Sequence, residues 1–110
     1  MVYPKVTEEL LREVVRRILG VGKPQAIILF GSWARGNARF DSDLDLLIIE
    51  DSDLPRYRRS ARYYHALAGV FPAKDVVVYT PAEVAEWTDV PNAFVTAAVR
   101  EGKVLYGNAG

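Results

Sequence analysis

The chain has 110 residues, of which 50% are apolar and 25% charged, so we expect one ordinary globular domain over residues 1–110. It has no cysteine and a single histidine, His65, which excludes disulfides, thiolate zinc sites and most histidine-based triads. Fourteen basic residues balance fourteen acidic ones, which argues against a nucleic-acid coat. No apolar run reaches the roughly 20 residues of a membrane span, and no signal peptide is evident, so a cytoplasmic protein without membrane contact is expected.

Apolar periodicity predicts the elements of the first half of the chain. Thr7 is expected to cap a first helix, which carries apolar residues at helical spacing and ends at Gly20. The continuous apolar run over residues 26–30 predicts a buried strand. A polar connection over residues 31–42 then leads to a second strand over residues 43–50.

Turn and capping residues delimit the elements of the second half. Asp53 is predicted to cap a helix over residues 54–68, with Gly69 at its end. Thr80 and Glu83 have the spacing of a capping box, which predicts another helix start. The remaining predicted elements are a strand over residues 75–80, a helix over residues 91–101 and a short strand, KVLYG, after Gly102.

The predicted order of elements is therefore α-β-β-α-β-α-α-β. The connection over residues 31–42 is too short for a helical crossover between parallel strands, so the first two strands are expected to be antiparallel. We therefore predict a small α/β (α+β) domain in which helices flank a mixed sheet.

Residues 31–45 combine a phosphate-binding feature with a pair of acidic residues. Gly31 and Ser32 directly follow a buried strand, and glycine allows a ligand to approach the backbone amides closely. Asp43 and Asp45 begin the next strand, where a period of two places both carboxylates on one face. Carboxylates that converge in this way suit Mg²⁺, which also binds substrate phosphates.

A third acidic residue, Asp75, opens the following strand. If that strand neighbours the one carrying Asp45, its carboxylate would complete a two-metal site and help to deprotonate an acceptor hydroxyl. This combination predicts phosphoryl or nucleotidyl transfer.

The string GSWARGNARFDSDLDLLI resembles a known signature. Gly-Ser, ten residues and then Asp-x-Asp is similar to the motif of the nucleotidyltransferase superfamily related to DNA polymerase β. The fuller pattern resembles its minimal nucleotidyltransferases, or MNT proteins, and covers nearly the whole chain. The matching residues are Gly31, Ser32, Ala34, Arg35, Gly36, Ser42, Asp43, Asp45 and Leu46, and Asp75 matches the third carboxylate of that family.

The resemblance implies a polymerase β palm-like fold, ATP as substrate, two Mg²⁺ ions and transfer of AMP to a hydroxyl with release of pyrophosphate. It implies that Asp43, Asp45 and Asp75 bind metal and catalyse, while Gly31 and Ser32 bind the nucleotide. Arg39, in the loop before the carboxylates, is a further candidate for phosphate contact. MNT proteins are commonly antitoxins of helical HEPN toxins and can adenylylate a toxin tyrosine, so a hetero-oligomer with such a partner is expected.

Two other functions compete with this one: stoichiometric neutralisation of the partner without catalysis, and nucleotidyl transfer to a small molecule. Some residues also have structural interpretations. Arg35 is expected to form an ion pair, and Arg56–Arg62 to form a solvated helix face rather than a basic binding patch. Trp33 could stack on a base or anchor a short helix to the core.

Overall fold

The computed structural model of the chain describes residues 6–36, 38, 42–70, 73–87, 90 and 94–108. Four strands in these residues form one sheet, with helices on both of its faces. The elements are α1 (Glu8–Val21), β1 (Ala26–Phe30), α2 (Ser32–Arg35), β2 (Leu44–Ile49), α3 (Arg56–Arg59), α4 (Ala61–Ala66), β3 (Lys74–Tyr79), α5 (Pro81–Trp87), α6 (Phe94–Glu101) and β4 (Lys103–Gly107).

The strand order across the sheet is β3-β2-β1-β4. Strand β1 is antiparallel to both β2 and β4, whereas β2 and β3 are parallel. The predicted mixed sheet is confirmed, including the antiparallel pairing of β1 with β2 across their short connection. The parallel pairing brings the starts of β2 and β3 to the same end of the sheet.

The two faces of the sheet bury separate apolar clusters. One cluster combines α1 and the α4 region with alternate residues of the strands, among them Leu46 and Val76. The other combines α5 and α6 with the intervening strand residues, among them Leu47 and Tyr79. Strand residues alternate between faces, so odd-numbered positions of β2 and β3 face α5 and α6. Asp45 and Asp75 are odd-numbered positions.

The first helix begins as predicted and continues one residue past Gly20, to Val21. The Thr7 side chain accepts a hydrogen bond from the Leu10 N–H, as an N-cap does. Gly20 lies within α1, and Gly22 is the C-cap residue. A Cβ on Gly22 would lie 2.0 Å from the Tyr63 hydroxyl oxygen, so the packing of Tyr63 requires glycine here.

The helix predicted over residues 54–68 is two short helices, α3 and α4, which meet at Ser60. Asp53 does not cap the first of them, because Pro55 occupies the N-cap position. A residue that precedes proline disfavours the helical conformation, so Leu54 cannot begin the helix and Asp53 is too far from the free amides. Gly69 follows α4 with a φ of 81°.

Arg56–Arg62 is not a uniformly solvated face, because Arg59 is buried with 9% of its surface exposed. Its guanidinium donates to Glu83 Oε1 at 2.6 Å and to the Val78 carbonyl at 3.2 Å. Glu83 also closes the predicted capping box: it accepts from the Thr80 N–H at 2.8 Å, and its own N–H donates to Thr80 Oγ1 at 3.2 Å. Arg59 therefore ties α3 to β3 and α5.

Arg62 also makes a specific pair, with Glu50 at the end of β2. Glu50 is buried and accepts hydrogen bonds from the Arg62 guanidinium at 2.6 Å, the Lys23 N–H at 2.8 Å and the Tyr63 hydroxyl. Burial and this carboxylate raise the pKa of Tyr63.

The last two predicted elements are present. The predicted start of the last helix at Pro91 lies outside the described residues, whereas its end at Glu101 and the strand after Gly102 are confirmed. None of the described helices is both long and apolar enough to span a membrane.

Candidate active site

Two of the predicted site aspartates, Asp45 and Asp75, lie at one end of the sheet, on the face that carries α5 and α6. Asp45 and Asp75 are register partners across the parallel β2–β3 pair, whose backbones lie about 4.8 Å apart. Asp43 lies just before β2, two residues from Asp45. The structure thus brings Asp45 and Asp75 side by side, as the sequence required for a shared site.

The electrostatics of Asp45 show that these groups interact. Partial burial raises the pKa of the Asp45 carboxyl, and the negative charges of Asp75 and Asp43 raise it further. Arg35 acts in the opposite direction. A carboxylate that is desolvated and faces two like charges is stabilised by an added cation. The cluster therefore favours cation binding.

Gly31 lies against the Asp45 carboxylate and leaves no room for a side chain. A Cβ at this position would stand 2.2 Å from Asp45 Oδ2 and 3.1 Å from Asp45 Cγ. Gly31 also has φ 76° and ψ −158°, a conformation essentially restricted to glycine. The backbone geometry requires glycine beside the acidic cluster, and any side chain here would displace the Asp45 carboxylate.

The short helix α2 starts directly after this glycine. Gly31 is its N-cap residue and accepts at its carbonyl from the N–H groups of Ala34 and Arg35, each at 3.1 Å. The amides of Ser32 and Trp33, at the first positions of the helix, have no intrahelical acceptor. The Ser32 hydroxyl has no hydrogen-bond partner among the described residues. These amides and this hydroxyl remain available for an anion.

Trp33 anchors α2, which answers a question that the sequence left open. Its indole N–H donates to the Ser42 carbonyl at 2.9 Å, and its ring packs against the cluster on the α1 side of the sheet. The bond links the start of α2 to the residue before Asp43. The two halves of the motif are therefore fastened together across their connection.

Arg35 differs from its predicted structural role. Within the described part of the chain it forms no direct ion pair, although its charge lowers the pKa of Asp45. Its side chain lines a cleft of about 290 Å³ beside Gly31, whose lining also includes Phe30, Phe94 and Glu101. Arg35 is therefore a cation beside the acidic cluster. The sequence signal that marks Arg35 is its place in the Ala-Arg-Gly part of the motif.

The donor set suits a hard divalent cation, although the ligands are not pre-assembled around one point. No three His, Asp or Glu side chains in the described ranges already converge as a metal site. Carboxylate oxygens are nevertheless the ligands that Mg²⁺ prefers, and Mg²⁺ completes its shell with water and substrate phosphates. The adjacent carboxylates of Asp45 and Asp75, which repel each other without a cation, match this preference. Arg39, the candidate phosphate contact, lies outside the described residues.

Tyr64 is a neighbour of the cluster that sequence reasoning missed. Its hydroxyl accepts from the Val76 N–H at 2.8 Å and lies 3.5 Å from Asp75 Oδ1. Tyr64 falls within the helix predicted over residues 54–68, and nothing in the sequence links it to a strand. Only the packing of α4 beside the edge strand β3 reveals the contact.

A mixed sheet that presents carboxylates on adjacent parallel strands, beside a glycine-serine turn, defines a nucleotidyltransferase-type domain. Residues 13–109 match the family model described as Polymerase beta, Nucleotidyltransferase, and the chain belongs to this family. No curated protein sequence matches the chain significantly.

Solved structures confirm the fold. One is a toxin–antitoxin crystal structure with AMP-PNP, at 21% identity and a TM-score of 0.63, over 89% of this chain and 73% of that one. A candidate nucleotidyltransferase from Sulfolobus solfataricus is 18% identical with a TM-score of 0.64, over 91% and 79%. A mutant of the toxin–antitoxin MntA-HpeT is 20% identical with a TM-score of 0.62, over 89% and 73%.

Proposed function

We propose that this nucleotidyltransferase uses Mg²⁺ and transfers AMP from ATP to a hydroxyl group, with the whole chain acting as one domain. The observation that carries the proposal is the pairing of Asp45 with Asp75 across parallel strands, with Gly31 packed on the Asp45 carboxylate. This arrangement puts acidic oxygens and free backbone amides at one end of the sheet. The proposed location of the protein is the cytoplasm, where ATP is available as the substrate.

The proposed roles follow from position and chemistry. Asp43 and Asp45 would hold the metal ions, and Asp75 would contribute to the ion nearer the acceptor. When bound, Mg²⁺ supplies Lewis-acid stabilisation of the charge on the transferred phosphoryl group. The amides and hydroxyl at Gly31 and Ser32 would hold the outer phosphates, with Arg39 as a further contact from the loop.

The proposed reaction forms one bond and breaks one. The acceptor oxygen bonds to the α-phosphorus of ATP, and the bond from that phosphorus to the bridging oxygen of pyrophosphate breaks. The acceptor proton passes to a base, for which Asp75 is the candidate, because it is exposed at the end of an edge strand. Pyrophosphate leaves with the negative charge.

For the acceptor, we propose a tyrosine of a HEPN-type toxin, with this chain as the antitoxin. Support comes from the two toxin–antitoxin structures that share the fold, one of which contains AMP-PNP. Exposed apolar side chains on the α5–α6 side, including Trp87 at 39% and Phe94 at 41%, are consistent with a protein partner. A hetero-oligomer is therefore proposed.

Stoichiometric neutralisation without catalysis is the second candidate function, favoured by the same exposed apolar surface. This function requires contact with the toxin, and it does not depend on the acidic cluster. Transfer to a small molecule is a third candidate. Mutation of the carboxylates should abolish both transfer functions but leave stoichiometric neutralisation intact, so it separates the two kinds of function.

The experiment mixes the purified protein with labelled ATP, Mg²⁺ and the product of the adjacent gene, tested as the proposed toxin partner. We expect AMP on a toxin tyrosine, located by mass spectrometry, and expect Asp43→Asn and Asp45→Asn each to abolish labelling while keeping the circular dichroism spectrum. Asp53→Asn is the matched control, since Asp53 is exposed and has no partner among the described residues. Near-normal labelling by either site variant contradicts the assignment. Neutralisation that survives loss of labelling favours the binding function.

A further inference from the structure

The hydroxyl of Tyr64 connects helix α4 to the edge of the sheet beside the acidic cluster. It accepts from the Val76 N–H at 2.8 Å and lies 3.5 Å from Asp75 Oδ1. Strand β3 is an edge strand in the described sheet, with β2 on its other side. Tyr64 thus satisfies an edge amide immediately after Asp75 and reaches the carboxylate itself.

The chemistry of a phenol fixes the direction of these two contacts. A tyrosine hydroxyl has one proton to donate and lone pairs to accept with. The Val76 N–H is a donor and occupies a lone pair, so the hydroxyl proton is free to point to the acceptor oxygen of Asp75. The contact of 3.5 Å is long, as hydrogen bonds at catalytic groups often are before substrate and metal bind.

The position of Tyr64 is itself well supported. Its neighbour Tyr63 and the following Leu67 have no exposed surface, so α4 is anchored in the core on the α1 side. Tyr64 retains 38% exposure and reaches outwards from this anchored helix. Asp75 is exposed and has no other hydrogen-bond partner among the described residues. Among the described residues, Tyr64 is thus the group that lies within hydrogen-bond distance of the Asp75 carboxylate.

We propose that Tyr64 is a positioning residue, which orients the Asp75 carboxylate for cation binding beside Asp45. The inference rests on the proposed function, because it assigns a role to the third carboxylate of that site. Tyr64 acts through Asp75 and needs no contact with the nucleotide. Loss of an outer partner of a metal ligand typically weakens metal affinity by about 10–100-fold. We expect about tenfold for Tyr64, the low end, because the contact is long and solvent-accessible.

The test compares Tyr64→Phe with the parent and with Tyr57→Phe. Each variant removes one hydroxyl, but Tyr57 is 82% exposed and its hydroxyl has no partner among the described residues. Binding of Mn²⁺ in the presence of AMP-PNP, followed by electron paramagnetic resonance, reports on the site without turnover. Tyr64→Phe should weaken Mn²⁺ binding about tenfold, while Tyr57→Phe matches the parent. Urea unfolding should show that Tyr64→Phe remains folded under the conditions of the Mn²⁺ measurement.

The Asp75→Asn background shows whether the effect passes through Asp75. There Tyr64→Phe should have no further effect on Mn²⁺ binding, because the carboxylate that it orients is gone. Equal Mn²⁺ binding by Tyr64→Phe and the parent overturns the positioning role alone, as does an undiminished effect in the Asp75→Asn background. Failure of the parent to bind Mn²⁺ with AMP-PNP overturns the proposed function and this inference with it.

Discussion

Replacement of Gly31 by alanine tests the contact between the glycine turn and the acidic cluster. The added Cβ would lie 2.2 Å from Asp45 Oδ2. Because this oxygen is the free end of a side chain, the carboxylate can rotate away and the turn can stay folded. The backbone cost remains, because φ 76° with ψ −158° is poorly tolerated by alanine. That conformation costs about 1–3 kcal/mol in a residue with a side chain. The larger consequence should be catalytic.

Gly36 is a suitable control, because it lies at the other end of α2 and also has a positive φ, 79°. A Cβ there meets nothing within 4 Å, and its left-handed conformation costs alanine about 1–2 kcal/mol. We expect Gly36→Ala to lose stability but to retain nucleotidyl transfer. Gly31→Ala should lose both, because the Asp45 carboxylate can no longer point to the site.

The measurements are urea unfolding followed by circular dichroism and the labelling assay with ATP. A third protein, Gly31→Ala combined with Asp45→Ala, separates strain from contact. The part of the Gly31→Ala cost that comes from the carboxylate should disappear in this background, leaving only the backbone term. Normal transfer by Gly31→Ala refutes the reasoning, because a displaced Asp45 carboxylate should not support transfer.

Three other perturbations probe the charges and the anion-binding turn. Glu83→Gln should lower the free energy of unfolding by about 1–2 kcal/mol at pH 7, because hydrogen bonds from Arg59 first and then from the Thr80 backbone lower the Glu83 pKa from 4.5 to about 2, and solvent screens part of this interaction. This contribution is complete above pH 4.5 and is lost as the pH falls towards 2. In urea titrations, the difference in the free energy of unfolding between the parent and Glu83→Gln should therefore be smaller at pH 3 than at pH 7. An equal difference at both pH values contradicts the prediction. Glu86→Gln, in the same helix and exposed, is its control. Without metal, Asp45→Asn should melt at or above the temperature of the parent, because the negative charge of Asp45 is destabilising beside Asp43 and Asp75. Mg-ATP should raise its melting temperature only slightly. An equal rise for the variant and the parent contradicts a shared cation site. Ser32→Ala should weaken Mg-ATP affinity mildly in calorimetry, because the backbone amides remain, and unchanged affinity removes the hydroxyl from the site.

The sequence was informative where the signal is local. The capping box of Thr80 and Glu83 and the strand over 26–30 depend on neighbours within a few residues, and both are present. The pairing of Asp45 with Asp75 was a conditional expectation, because the sequence places both residues near strand starts but does not fix which strands are neighbours; the structure pairs them. The metal and phosphate roles of these residues stay predictions.

Contacts between distant elements could not be derived in the same way. The burial of Arg59 depends on Glu83, which is 24 residues away, and an arginine-rich stretch alone indicates a solvated face. Tyr64 reaches Asp75 only because α4 packs beside β3. The break at Ser60 likewise reflects how α3 and α4 pack separately. In each case the deciding partner is supplied by tertiary packing, which periodicity does not encode.

The hydrogen bond from Trp33 to the Ser42 carbonyl gives the molecule a built-in optical probe. Indole fluorescence depends on the polarity and hydrogen bonding around the ring, and this ring lies between the glycine-serine turn and the residue that precedes Asp43. Any ligand that moves those two segments relative to one another changes the surroundings of one fluorophore. The second tryptophan, Trp87, is 39% exposed on α5 and would supply a constant background. Substrate binding could thus be followed by emission, without a label attached near the site.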